Sequence, residues 1–178
     1  IVTVDKKGNA VSMTSSIESA FGSHLMVKGF ILNNQLTDFS FSLDAKGKNI
    51  ANSVQAGKRP RSSMAPIMVF DKDDNLITTL GSAGGISIIP FVAKTLISIL
   101  DWNMNAQAAI SLPNILIFRD KVILEKGTTI IKHKTALQGL GHKVITASFP
   151  SGTHAINLRN GLLWGGADPR REGIVMGD

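Results

Sequence analysis

The sequence predicts an α+β domain built in layers, with mixed or antiparallel sheets. Short apolar runs recur with a spacing of two on either side of turn residues, which reads as a series of hairpins. In mid-chain a strand-like run, residues 76–80, stops in Gly81-Ser82-Ala83-Gly84-Gly85 and opens the longest helix-like run, Ile88–Leu100. A strand–helix–strand group and a last hairpin close the chain.

With 178 residues the chain is expected to form a single unit over 1–178, one domain or one subunit with a substantial core. Apolar residues make up 43% and charged residues 18%, which excludes a disordered chain. Residues 86–100 are too short and too often interrupted by polar groups to span a bilayer. The opening strand does not read as a secretory leader. A net charge of +6 invites a nucleic acid, but the basic residues are scattered and tyrosine is absent, so no nucleic-acid partner is expected. Without cysteine, disulfides and thiolate chemistry are excluded. The four histidines lack metal-ligand spacings, so neither a metal nor a cofactor is expected.

Taken in order, residues 1–4 alternate as a strand, Lys6-Lys7-Gly8-Asn9 supplies a hairpin turn, and residues 10–17 return beside it. Residues 21–29 form a glycine-punctuated loop before a short strand at 30–32. The polar cluster Asn33-Asn34-Gln35, with Asp38, then lies between apolar anchors. It is either a turn closed by local side-chain bonds or a cradle of donors and acceptors for a charged ligand. Residues 44–61 lack periodicity and form a surface loop of the length used for lids and binding loops. There follow Ser62 and Ser63, held between Pro60 and Pro66, which either cap a turn or offer rigidly placed hydroxyls. Residues 67–70 and 76–80 make a second hairpin about Asp71-Lys72-Asp73-Asp74-Asn75, a solvated turn without the glycine and final glutamate of a calcium loop.

The glycine corner leaves N–H groups unpaired where a helix starts. It is either a plain tight turn or a site for an oxyanion, carboxylate or phosphate, without the Lys-Ser/Thr ending of a P-loop. Pro90 is tolerated in the first helical turn. Asn103 or Asn105 caps a short helix at 106–112, which Pro113 ends. Strands at 115–118 and 122–124 follow, then a helix led by Thr128 and Thr129 and closed by Gly141. The last strands fall at 143–147, 154–158 and 162–164, and the tail 165–173 reads as irregular. His154 is expected to be structural, and Arg170 and Arg171 to tie the C-terminus down.

The motifs Asp5-x-x-Gly8-Asn9-Ala10-Val11, Leu32-Asn33-Asn34-Gln35-x-x-Asp38-Phe39-Ser40, Arg59-Pro60-x-Ser62-Ser63-Met64-x-Pro66, Gly81-Ser82-x-Gly84-Gly85 and Asp168-Pro169-Arg170 stand in this order. Together they resemble the small, C-terminal subunit of the gamma-glutamyltranspeptidases (glutathione hydrolases) over essentially the whole chain. The resemblance implies an N-terminal-nucleophile hydrolase fold, an αββα sandwich of which this is the small-subunit half with mainly antiparallel sheets. It also implies a self-cleaving precursor, a large N-terminal subunit as partner, and a small-molecule gamma-glutamyl substrate. A newly N-terminal threonine would attack the gamma-glutamyl amide, with its own amine as base.

By position, the resemblance makes Gly84 and Gly85 the oxyanion hole and Ser16 the hydroxyl that supports the nucleophile. Ser62 and Ser63 would bind the glutamyl α-carboxylate, and Asp38 with Gln35 the α-ammonium. Glu18 stands where these enzymes often have an asparagine near that ammonium, and Ile86-Ser87 replaces a more polar pair. The threonine is expected just upstream of Ile1, so this chain alone is expected to be inactive. With a partner's face exposed, it is also expected to be poorly soluble. The departures leave open a related acylase acting on cephalosporin side chains or poly-glutamate, and a non-catalytic remnant. A periplasmic or extracellular location follows from the resemblance alone.

Overall fold

The computed structural model describes residues 1–44 and 46–177. β1 (Val2–Val4) and β2 (Ala10–Ser12) open the chain, followed by β3 (Met26–Val27), β4 (Phe30–Ile31) and a 3-10 turn at Gln35–Asp38. β5 (Ile67–Phe70) and β6 (Leu76–Gly81) lead through a 3-10 turn at Gly85–Ser87 into α1 (Ile88–Leu100) and α2 (Ala106–Ser111). Next come β7 (Ile115–Phe118), β8 (Lys121–Glu125), a 3-10 turn at Thr129–His133 and α3 (Lys134–Gly139). β9 (Lys143–Ala147), β10 (His154–Arg159) and β11 (Leu162–Ala167) complete the order. These elements fall into two compact units, one of Ile1–Thr14 with Ser63–Asp178 and the other of Ser15–Ser62.

The first unit holds an antiparallel sheet in the order β11-β10-β6-β5 and a second sheet in the order β7-β8-β9. In the second sheet β8 and β9 run parallel, from Lys121↔Lys143 to Glu125↔Ala147. Parallel neighbours need a crossover. Here α3 supplies it, with Leu137 and Ile130 packed on Val122, Leu124 and Val144. The mainly antiparallel expectation therefore holds, with this pair as its exception.

α1 buries Ile88, Phe91, Val92, Thr95, Ser98 and Ile99, one face of a helix. That face joins Leu80 of β6, Ala155 of β10 and the apolar side of α2 in the main core cluster. Thr95 and Ser98 can enter it because their hydroxyls bond back to the carbonyls of Phe91 and Lys94, at 2.9 and 2.8 Å. α2 is fixed at its start by two side chains. Asn105 Oδ1 accepts Ala108 N–H at 2.8 Å, and buried Asn157 Oδ1 of β10 accepts Ala106 N–H at 2.9 Å.

α2 lies so close to β11 that a Cβ on Gly166 would stand 2.7 Å from Gln107 N. Glycine is required there, and its lack of pattern is why the tail from 165 reads as irregular when Gly165-Gly166-Ala167 in fact extends β11. Gln107 then acts as a strand neighbour, its Nε2 donating to Ala167 O and its Oε1 accepting from Ala167 N–H, each at 3.0 Å. β2 stops at Ser12, short of 17, where its pairing with β1 runs out at Val2↔Ser12.

In the second unit the expected loop at 21–29 contains β3, which turns at Lys28-Gly29, both with positive φ, and pairs with β4 in the strand expected at 30–32. The 44–61 stretch forms no helix or strand among its described residues and is held by side chains. Asn52 Nδ2 donates to Asp38 O at 2.7 Å, and Asn52 Oδ1 accepts Arg61 N–H at 2.9 Å.

The turns at Asp5 and Asp71, both in the first unit, share one chemistry. Asp5 Oδ1 accepts the N–H groups of Lys7 and Asn9 at 2.8 and 2.9 Å; Asp71 Oδ1 accepts those of Asp73 and Asn75 at the same distances. The side chains of Asn9 and Asn75 also donate to these carboxylates, which holds both carboxyl groups below their usual pKa. The aspartate at position 71 therefore closes a turn.

Candidate active site

β6 ends at Gly81 and the chain reverses through Ser82-Ala83-Gly84 before α1 begins. Gly84 adopts φ 138°, ψ 15°, and a Cβ there would stand 2.6 Å from Phe91 Cε2. Phe91 is 1% exposed and meets Phe149 edge-on with ring centroids 5.8 Å apart, so the ring cannot give way cheaply. Gly85 also has positive φ, 58°, but faces open space. Gly84 O accepts Ser87 N–H at 3.1 Å, while no hydrogen bond to another described residue engages the N–H of Gly84 or Gly85. Two adjacent donors at the head of a helix, where the dipole adds positive potential, suit a developing oxyanion.

A buried ionic network backs this unit. Arg170 Nε and Nη2 donate to Glu125 at 2.5 and 2.9 Å, and Nη1 to Asp168 Oδ1 at 3.1 Å. The same guanidinium reaches the carbonyls of Ile110 and Leu112 at 3.2 and 3.0 Å, which closes the end of α2. Burial opposes ionisation of Asp168, but hydrogen bonds from Ser151, Arg170 and Thr153 N–H outweigh it and hold its carboxyl below the usual range. Arg170 thus has the structural place expected of it. Arg171 is exposed and joins through its backbone, its N–H donating to Asp168 O at 3.3 Å. His154 lies on β10 opposite Gly81 and Ala167, with Gly173 packed on its ring, also a structural place.

Lys94 Nζ donates to the same two carbonyls, Ile110 at 3.0 Å and Leu112 at 2.8 Å. Burial first, then the charge of Arg170, pushes its pKa down to about 8, against the pull of Asp168 and Glu125. The ordinary value is 10.5, so between these limits the unfolded chain binds more protons and stability rises with pH. Below about 8 the whole cost of the buried ammonium is present. Denaturant titrations across this window should show the rise in the wild type and a flatter profile in Lys94→Met.

Of the residues singled out in the sequence, Ser16, Glu18, Gln35, Asp38 and Ser62 belong to the second unit, and Ser63, Gly84 and Gly85 to the first. Ser16 Oγ accepts Glu18 N–H at 2.9 Å and keeps its own proton to donate. Glu18 stands at φ 71°, in the left-handed region that asparagine tolerates better than glutamate. Asn34 binds both the N–H and the hydroxyl of Ser19 at 3.0 Å, and Asn33 Oδ1 accepts Gln35 N–H at 3.0 Å. The polar cluster is therefore a turn whose asparagines are used locally. Gln35 and Asp38 bound its 3-10 turn, three positions apart, which sets their side chains on one side. Gln35 Oε1 is buried without a hydrogen-bond partner among the described residues, an expensive state unless a ligand brings a donor. Ser62 is exposed and Ser63 half-buried.

Ser82, Ser151 and Thr153, all nearly inaccessible, were not legible as site residues. No local signal marks them, since Ser151-Gly152-Thr153 is also what a solvated turn carries.

This α+β arrangement of mainly antiparallel sheets is the fold of the N-terminal-nucleophile hydrolases, shared with solved gamma-glutamyltranspeptidases. A profile of the gamma-glutamyltranspeptidase family matches residues 1–178, and the chain belongs to that family. It is 38% identical over 178 residues to the glutathione hydrolase proenzyme of Bacillus subtilis (strain 168), an overlap of 97% of this chain and 29% of that relative. A solved mutant gamma-glutamyltranspeptidase of Helicobacter pylori superposes with a TM-score of 0.86 at 31% identity, over 96% of this chain and 98% of the other. The cephalosporin acylase of Bacillus halodurans superposes with a TM-score of 0.83 at 27% identity, over 95% of this chain and 32% of the other. The chain thus spans less than a third of the Bacillus subtilis relative but nearly all of the Helicobacter chain.

Proposed function

We propose that this chain is the small, C-terminal subunit of a gamma-glutamyl amide hydrolase or transpeptidase acting on glutathione and related compounds. A large N-terminal subunit from the same precursor completes the enzyme. The observation that carries the reading is the pair of unengaged N–H groups at Gly84 and Gly85. In this reaction a threonine preceding Ile1 attacks the gamma-amide carbonyl, and the two N–H groups stabilise the charge that develops on its oxygen. Expulsion of the amine leaves a gamma-glutamyl ester, which water or an acceptor amine releases.

Gln35 Oε1, the buried acceptor without a donor, takes one hydrogen of the substrate α-ammonium, and Asp38 its charge. Ser62 and Ser63 hold the α-carboxylate, and the free proton of Ser16 supports the nucleophile. The missing partner is supported by large apolar side chains left in water, among them Phe30 and Phe41 at 74% and, in the other unit, Leu140 at 76% exposed.

Asp38→Asn in the full-length protein tests the pocket. Losing a charged hydrogen bond should raise KM for a gamma-glutamyl anilide by about ten- to a hundredfold, while a glutaryl anilide, which lacks the α-amine, is cleaved as before. Equal cleavage of both anilides by the wild type would instead favour an acylase with another substrate, the reading that the likeness to cephalosporin acylase supports.

A further inference from the structure

We propose that Ser82 and Thr153 are positioning residues that aim the Gly84 N–H at the oxyanion; this rests on the reading above. Thr153 Oγ1 donates to Ser82 Oγ at 3.0 Å, and Ser82 Oγ donates to Ala83 O at 2.8 Å. The Ala83 carbonyl and the Gly84 N–H belong to one rigid trans peptide, so they point in opposite directions. Whatever holds the carbonyl aims the N–H.

The next peptide plane is held differently. Gly84 O accepts Ser87 N–H at 3.1 Å, so the Gly85 N–H is aimed by backbone alone. Glycine at φ 138° imposes little steric preference on the Ala83–Gly84 plane, and the serine hydroxyl supplies the missing constraint. Ser82 is 3% and Thr153 2% exposed, so water is not at hand to replace the bond between them.

Thr153 is itself held from behind. Its N–H donates to Asp168 Oδ2 at 3.3 Å, Asp168 also accepts from Ser151, and Ser151 Oγ accepts Asn114 Nδ2 at 3.3 Å. Arg170 pins the same aspartate at 3.1 Å. A connected set of buried polar groups therefore runs from the C-terminal Asp168-Pro169-Arg170 segment to the peptide that carries the first oxyanion donor.

The test uses the full-length protein. Ser82→Ala and Thr153→Val should each lower kcat for a gamma-glutamyl anilide by about tenfold or more, approaching the loss seen when such a donor is removed, with KM unchanged. Thr153→Ser, which keeps the hydroxyl, should restore kcat. A boronic acid analogue of glutamate, tetrahedral once bound, should lose affinity in step with kcat, while glutamate itself should not. A crystal structure of Ser82→Ala should show the Ala83–Gly84 peptide rotated or in more than one orientation. Unchanged kcat in both variants, or a single wild-type orientation of that peptide in the crystal, would overturn the proposal. Should the wild type cleave no gamma-glutamyl substrate, the functional reading fails separately, and the crystallographic arm still decides the positioning role.

Discussion

Gly84→Ala is expected to cost both stability and activity heavily. The new methyl would lie 2.6 Å from Phe91 Cε2, and the backbone would have to keep φ 138°, where side-chain-bearing residues are rare. Overpacking of this kind costs about 1–3 kcal/mol, and a left-handed or rarer conformation adds about 1–3 kcal/mol. Relief requires moving either Phe91, locked against Phe149, or the peptide that carries the Gly84 N–H. Stability measured by urea unfolding should fall by several kcal/mol, and kcat by about 10²-fold or more. Gly85→Ala provides the control. It meets nothing within 4 Å and adopts φ 58°, so it should cost about 1 kcal/mol and keep its N–H in place. Similar losses in the two variants would contradict this description of the corner.

Arg170→Ala is expected to cost stability heavily as well. It removes the partner of two carboxylates whose side chains are 8% and 2% exposed, and it also strips donors from the carbonyls that end α2. Breaking a buried ion pair from one side costs about 3–5 kcal/mol, because the abandoned charges stay buried. Arg170→Lys should recover little, since an ammonium cannot serve Glu125 through two nitrogens while also reaching Asp168. Unfolding midpoints of the full-length protein and the two variants check this. A loss of under about 1 kcal/mol, as for a solvent-exposed pair, would show the network to be open to water.

The parts of the fold that were legible are those whose signal is local. α1 keeps the bounds that its apolar face and the preceding glycines suggest, because the face that packs on Leu80 and Ala155 is written at helical spacing. The hairpin about Asp71 was legible for the same reason, its turn being closed by its own aspartate. The extension of β11 was not, since glycine at 166 answers to the approach of α2 and glycine at 165 to that of Val175, which leaves no alternation to read. β4 was legible as the apolar run at 30–32, but β3, only two residues long, was missed and with it the hairpin the two make.

The candidate site divides in the same way. Gly84 and Gly85 stand out as small residues between a strand and a helix, and Gln35 and Asp38 as polar residues between apolar anchors. What makes each of them effective lies elsewhere in the chain. Ser82 depends on Thr153, 71 positions away, and Arg170 on Glu125, 45 positions away. Periodicity reports which face a residue shares with its near neighbours; it carries no information about such pairs.

The most direct test of the chain's role is the intact mass of the small subunit taken from the full-length protein and quenched during turnover of a gamma-glutamyl substrate. The expected result is a precursor cut so that this chain begins with a threonine ahead of Ile1, with a fraction of the molecules heavier by one gamma-glutamyl group. An uncut precursor, or a cut chain that never gains that mass while substrate is consumed, would contradict it.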